Sequence, residues 1–217
     1  MTHITHAVIC LHGLGSSGSN MAPLAQELNL PGVRFIFPDA PKRPVTCNQG
    51  YIMPAWYDIE HFDFTTRPYL SDAAGIDNSC QRIRSLVADE QARYGIAPNN
   101  IFLMGFSQGG SIALELGLHD SNTFAGIIGL STLPAKALKT FEQVAPHSRN
   151  IPIFLAHGTQ DKILPHSLAE YMHDHLQQLN CPITWRSYTM GHEICAQELA
   201  DLRTWFLARI AVHADAP

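Results

Sequence analysis

The sequence predicts an α/β fold built on a doubly wound, mostly parallel sheet with helices on both faces. Short, continuously apolar runs recur along the chain, the pattern of strands covered on both sides. Longer segments between them repeat their apolar residues at helical spacing. Such strand–helix alternation favours parallel strands joined by right-handed crossovers. With 217 residues, 46% of them hydrophobic and 15% charged, the chain can bury a large core. Residues 1–217 are therefore read as one domain.

The first strand is expected over residues 7–11, where every side chain from Ala7 to Leu11 is apolar. A glycine-rich loop follows. Ser19 or Asn20 is expected to cap a short helix, with Pro23 in its first turn, where a missing N–H costs nothing. Residues 33–37 make the second strand. Residues 38–74 fit neither class; a connection that long, rich in proline and aromatics, reads as an irregular functional rim or lid. Ile76, Ile83, Leu86, Val87 and Tyr94 place a helix over 75–94. Residues 101–104 form a strand and 111–118 a helix, then strands follow at 125–130 and 151–156. Leu168, Tyr171, Met172, Leu176 and Leu179 mark the next helix. A strand at 182–188 precedes the last helix, whose apolar face runs from Ile194 to Ile210, ahead of a short polar tail.

Gly105-Phe106-Ser107-Gln108-Gly109 lies between the strand at 101–104 and the helix at 111–118. Gly-x-Ser-x-Gly in that setting forms a nucleophile elbow, a strained turn that presents the serine hydroxyl. A serine hydroxyl is a weak nucleophile at neutral pH, so a base and an orienting acid must accompany it. The chain order on such a scaffold is serine, acid, histidine. Of the acids after Ser107, only Asp161 stands in a turn directly beyond a strand, where catalytic groups of parallel sheets gather. Of the 12 histidines, His192 alone follows Asp161 in a strand-to-helix loop. Ser107, Asp161 and His192 are thus the candidate triad. The plainer roles, a turn serine and a turn-capping aspartate, stand beside it. His12-Gly13-Leu14-Gly15, just after the first strand, is placed to complete an oxyanion hole. The N–H groups of Leu14 and Gln108 are its candidate donors.

The same loop competes for another role. Gly13-Leu14-Gly15-Ser16-Ser17-Gly18 matches the dinucleotide fingerprint, with Asp39 about 20 residues on. In that motif the helix starts at the glycines, which would put Pro23 inside it at about 3 kcal/mol. A dinucleotide is therefore not expected. Histidine pairs such as His3/His6 and His173/His175 lack a zinc-binding pattern, so no metal and no cofactor is expected.

The formal charge of −5 and the scattered Lys and Arg residues give no phosphate-binding stripe, so nucleic acid is not an expected partner. No apolar stretch approaches the ~20 residues that cross a bilayer, and no signal peptide is read at the N-terminus. Five cysteines without paired spacings suit a reducing cytoplasm. A homodimer is allowed by the sequence, and no feature specifies one.

Five blocks together resemble the bacterial carboxylesterase and acyl-protein thioesterase family. They are Leu11 to Gly15, Pro38 to Thr46, Met53 to Asp58, Gly105 to Gly110, and His157-Gly158-x-x-Asp161, in family order. The resemblance implies an α/β-hydrolase fold, an acyl-serine mechanism without cofactor, the triad Ser107–Asp161–His192, and Leu14 and Gln108 as oxyanion donors. It implies a small-molecule ester or acyl-thioester substrate. Glu193-Ile194-Cys195 after the histidine is closer to the bacterial esterases than to the serine-containing eukaryotic thioesterases. Met53, Trp56, Leu70, Leu133 and Leu164 are the candidates for lining an acyl groove, with Phe62, Phe64 and Tyr69 beside them. Their apolar character favours an acyl chain over a charged substrate. A carboxylesterase is the leading expectation; an acyl-protein thioesterase, a lysophospholipase and, more remotely, a catalytically silent binding protein are the others.

Overall fold

The computed structural model describes residues 4–61, 72–136 and 144–214. Its strands are β1 (His6–Leu11), β2 (Val33–Ile36), β3 (Lys42–Val45), β4 (Tyr51–Pro54), β5 (Ile101–Phe106), β6 (Gly126–Leu130), β7 (Ile153–Gly158) and β8 (Ile183–Tyr188). The helices are α1 (Gly18–Met21), α2 (Pro23–Leu28), α3 (Ala73–Tyr94), α4 (Gln108–His119), α5 (His166–Gln178) and α6 (Ala196–Ala214). Six strands form one parallel sheet in the order β2-β1-β5-β6-β7-β8. The order reverses beside β1, so loops after β1 and β5 leave the sheet at a switch point, where α/β folds place their sites.

Strand alternation divides the core. Ala7, Ile9 and Leu11 of β1 face one side with Ile76, Ile83 and Val87 of α3, Ile112 and Leu116 of α4, and Met172 and Leu176 of α5. Val8 and Cys10 face the other with Leu24 and Leu28 of α2 and Leu202, Trp205 and Phe206 of α6. Both faces are covered, which is why the strands read as continuous apolar runs rather than alternating ones.

Two expectations are corrected. The stretch 38–74 carries regular structure: β3 and β4 pair antiparallel as a separate hairpin, Lys42 opposite Pro54 and Val45 opposite Tyr51. Pro44 sits opposite Ile52 within it, which a free-edged ribbon tolerates and a central strand would not. The short helix also differs. Ser17, not Ser19 or Asn20, caps α1, and the chain then restarts as α2 with Ala22 as cap and Pro23 in the first turn. Two short turns of helix, split at the proline, replace the single helix expected.

Candidate active site

Ser107 follows the last residue of β5 and precedes the first of α4, with φ 52° and ψ −122°. That left-handed conformation is costly for a residue with a side chain and persists only where the surroundings impose it. They do so here through the backbone. Ser107 N–H donates to Leu130 O at 2.9 Å, and its carbonyl accepts from the Thr132 hydroxyl at 2.7 Å. A Cβ on Gly105 would strike the backbone of Gly109, and one on Gly109 would strike the carbonyls of Leu11 and His12. Both glycines are therefore required by close approach.

His192 Nε2 lies 3.0 Å from Ser107 Oγ, and Nδ1 lies 2.7 Å from Asp161 Oδ2. An ionised carboxylate only accepts, so Nδ1 carries the proton and Nε2 offers its lone pair to the serine hydroxyl. The Asp161 side chain is fully buried, and Oδ1 accepts from the Ile163 and Leu164 N–H groups at 2.8 Å each. The acid loop is tied to the histidine loop by Thr159 N–H to Tyr188 O at 2.8 Å and Gln160 N–H to Met190 O at 3.0 Å. Phe106 packs against the His192 ring, with centroids 4.9 Å apart. Ser107, Asp161 and His192, far apart in the chain, thus meet beyond the ends of β5, β7 and β8.

Gln108 is the first residue of α4, whose opening N–H groups have no partner within the helix. The loop after β1 runs directly beside the nucleophile: a Cβ on Gly13 would lie 3.4 Å from Ser107 Cβ and 3.2 Å from the Phe106 ring. Gly15 N–H is drawn off to Pro54 O at 2.8 Å, at the end of β4. The loop that carries Leu14 and the start of α4 at Gln108 therefore approach Ser107 from two elements.

Asp39, the acid of the dinucleotide-like pattern, is exposed and engaged by the chain's own backbone. Its Oδ1 accepts the Gly18 N–H at 2.7 Å. A carboxylate of the chain itself thereby occupies the helix start where a pyrophosphate would bind.

The groove candidates divide. Met53 is half-buried beside Gly15. Leu133 and Leu164 are buried against Ala169, flanked by Leu168 and Trp185. Leu70 lies outside the described residues, as do Phe62, Phe64 and Tyr69. Trp56 is fully buried and offers no exposed surface to a substrate. Its indole N–H donates to His12 O at 2.8 Å, and its main-chain N–H donates to Gln108 Oε1 at 2.9 Å.

Sequence reasoning did not name the hydrogen-bond partners of the supporting polar groups. His12 is buried, its Nδ1 2.7 Å from Gly13 O, and its Nε2 accepts the Ala40 N–H at 3.0 Å. Burial holds its proton affinity below the ordinary histidine value, against the opposing pull of the Gly13 carbonyl and the Asp39 charge. His157 Nε2 lies 2.8 Å from Leu164 O and 3.3 Å from Asp161 Oδ2, and burial likewise lowers its proton affinity, against the pull of the Leu164 carbonyl and the Asp161 charge. The position of each just past or at a strand end was the available signal.

The chain is similar to known proteins along nearly its whole length. A family profile described as phospholipase/carboxylesterase matches residues 2–210. Acyl-protein thioesterase 1 of Emericella nidulans is 37% identical over 95% of this chain and 90% of its own. A probable carboxylesterase of Oryza sativa subsp. japonica is 32% identical over 91% of this chain and 75% of its own. Among solved structures, Arabidopsis thaliana SOBER1 superposes with a TM-score of 0.87 at 26% identity, covering 95% of this chain and 99% of that one.

Proposed function

The chain belongs to the phospholipase/carboxylesterase family of α/β-hydrolases, and we propose that Ser107, His192 and Asp161 are its catalytic triad, cleaving carboxylic esters of apolar acyl groups. The observation that carries this reading is the unbroken line from Ser107 Oγ through His192 to the buried Asp161, at 3.0 Å and 2.7 Å. Ser107 Oγ attacks the ester carbonyl carbon while its proton passes to His192 Nε2. The former carbonyl oxygen becomes an oxyanion, for which Leu14 and Gln108 supply N–H donors; one such donor is worth about 3–4 kcal/mol. Collapse expels the alcohol, which takes the proton from Nε2, and leaves an acyl-serine. Water, deprotonated by His192, then attacks the acyl carbon, and the carboxylic acid leaves as Oγ recovers its proton. No step calls on a metal or cofactor.

Met53, Leu133 and Leu164 are the residues we assign to the acyl side. Acyl-thioester cleavage is the second reading, favoured by the thioesterase names of relatives that match over nearly the full chain. A cytoplasmic location and a single catalytic domain complete the proposal, supported by five free thiols and by the near-complete family match. Among the described residues, no helix is long and apolar enough to cross a membrane.

The test is kcat/KM for p-nitrophenyl esters from acetyl to palmitoyl, with Ser107→Ala as control. The control should lose on the order of 10⁶ in kcat. Retained activity in it would remove the mechanism. A maximum at short chains supports the carboxylesterase reading, and a rise toward palmitoyl supports long-chain acyl thioesters.

A further inference from the structure

We infer that His12 is a positioning residue for the oxyanion hole, joined by Trp56 and the Gln108 side chain into a brace that aligns the two donor N–H groups. The inference rests on the assignment of Leu14 and Gln108 as donors. It starts from the peptide plane. The Gly13 carbonyl and the Leu14 N–H belong to one trans peptide unit and point in opposite directions, so whatever fixes the oxygen aims the N–H.

Two donors fix that oxygen. Ser16 N–H reaches it at 3.1 Å, closing a turn, and His12 Nδ1 lies 2.7 Å away. His12 has no freedom in this: its Nε2 must accept the Ala40 N–H, so Nδ1 carries the proton and donates to Gly13 O. The His12 carbonyl is held in turn by the Trp56 indole N–H. Trp56 is anchored by its main-chain N–H on Gln108 Oε1, while Gln108 Nε2 donates to Tyr57 O at 2.7 Å. The Ser79 hydroxyl donates to the Trp56 carbonyl. The Gln108 whose main chain supplies one donor therefore grips, with its side chain, the segment that locks the loop carrying the other.

All three members are buried, His12 and Trp56 completely and Gln108 to 3% exposure. Each polar group satisfied here would be costly to leave unpaired, which makes the arrangement rigid rather than merely packed. A histidine filling space would not need both nitrogens committed to backbone groups of different segments. Preorganisation of this kind matters to the transition state alone, because the ground-state carbonyl carries little charge to stabilise.

The experiment compares His12→Phe, His12→Asn and Trp56→Phe. Phenylalanine keeps the ring and loses both hydrogen bonds; asparagine restores an N–H near the Nδ1 position; Trp56→Phe removes the indole N–H. Readouts are kcat and KM on p-nitrophenyl butyrate, melting temperature, and Ki for an alkyl trifluoromethyl ketone, which forms an oxyanion on a serine nucleophile. His12→Phe should lose about 10- to 100-fold in kcat with KM within about threefold, and the ketone Ki should rise by the same factor as kcat falls. His12→Asn should recover most of both, and Trp56→Phe should show a smaller loss with the same signature. Overturning results are full kcat with unchanged ketone Ki in the folded variants, or a lowered melting temperature without the matched fall in kcat and ketone affinity. Should His12→Phe not fold, Trp56→Phe and His12→Asn decide by the same criteria. Loss of the underlying reading looks different: Ser107→Ala would remain active and the ketone would not bind competitively even to the unmodified protein.

Discussion

At the scale of single residues, Asp161 and Trp56 show how hydrogen bonds assign roles that side-chain chemistry leaves open. The Asp161 carboxylate takes two main-chain N–H groups on Oδ1 and His192 Nδ1–H on Oδ2. Its orientation is set before any substrate arrives, and it leaves His192 a single useful tautomer. Asp161→Asn would present an amide N–H to Nδ1 once its oxygen stays with the Ile163 and Leu164 N–H groups. The imidazole would then put its proton on Nε2, the nitrogen that must accept from Ser107. We expect kcat to fall by about 10⁴ with the fold retained, by the tautomer argument. Steady-state kinetics with circular dichroism checks this, and a loss under tenfold would remove Asp161 from the triad. Trp56 teaches the converse. As an aromatic in a loop near the site, it reads as a groove wall; its complete burial and its two donated hydrogen bonds give it to the oxyanion loop instead.

At the scale of elements, legibility followed the strength of the periodic signal. All six strands of the main sheet were expected within a few residues of where they stand. The inner four are buried almost throughout and so mostly apolar, while the edge strands β2 and β8 keep enough apolar residues beside Arg34 and Arg186 to be read. α3, α5 and α6 were equally readable from their apolar stripes, whereas α4, buried from Gln108 to Leu118, was read as the helix-forming run that follows the elbow. The β3–β4 hairpin was not. Lys42-Arg43-Pro44-Val45 carries one buried side chain, at Val45, and pairs with a single partner, so neither alternation nor apolarity marks it. Helix-to-helix ties are likewise invisible in sequence. Arg84 on α3 reaches Asp120 at the end of α4 at 2.5 Å, and Asp120, 2% exposed, also accepts from Asn122 N–H at 2.9 Å. Removing one partner of a pair that is buried on the acid side leaves the other uncompensated, at about 3–5 kcal/mol in full burial. Arg84 is 40% exposed, and solvent screening reduces the cost. Asp120→Ala is expected to lower unfolding free energy by about 1–3 kcal/mol with kcat unchanged. Urea denaturation measures the first and ester turnover the second; an unchanged midpoint would show that the pair contributes nothing.

At the scale of the whole molecule, one buried acid couples global stability to pH without touching the reaction. Glu198 lies in the first turn of α6 and is fully buried. With Cys195 it forms a capping box in which sulfur replaces the usual hydroxyl: Glu198 N–H donates to Cys195 Sγ at 3.4 Å, and Cys195 N–H donates to Glu198 Oε2 at 3.4 Å. The second carboxyl oxygen, Oε1, is buried without a hydrogen-bond partner. Burial pushes the carboxyl up to about 8, with the Cys195 N–H pulling only partly the other way. The unfolded chain titrates this group near the ordinary glutamate value of about 4.3. Between those two values the folded state holds a proton that the unfolded state has released. Folded protein is then favoured at low pH, and the contribution is lost as pH rises toward about 8, where the folded state must ionise a buried group. Glu198→Gln keeps the shape, offers an oxygen to Cys195 N–H and cannot ionise. Its melting temperature should therefore fall less than that of the unaltered protein between pH 5 and pH 8, with the gap widest at the alkaline end. Scanning calorimetry across that range decides the matter, since parallel curves for the two proteins would mean that Glu198 does not carry the proton.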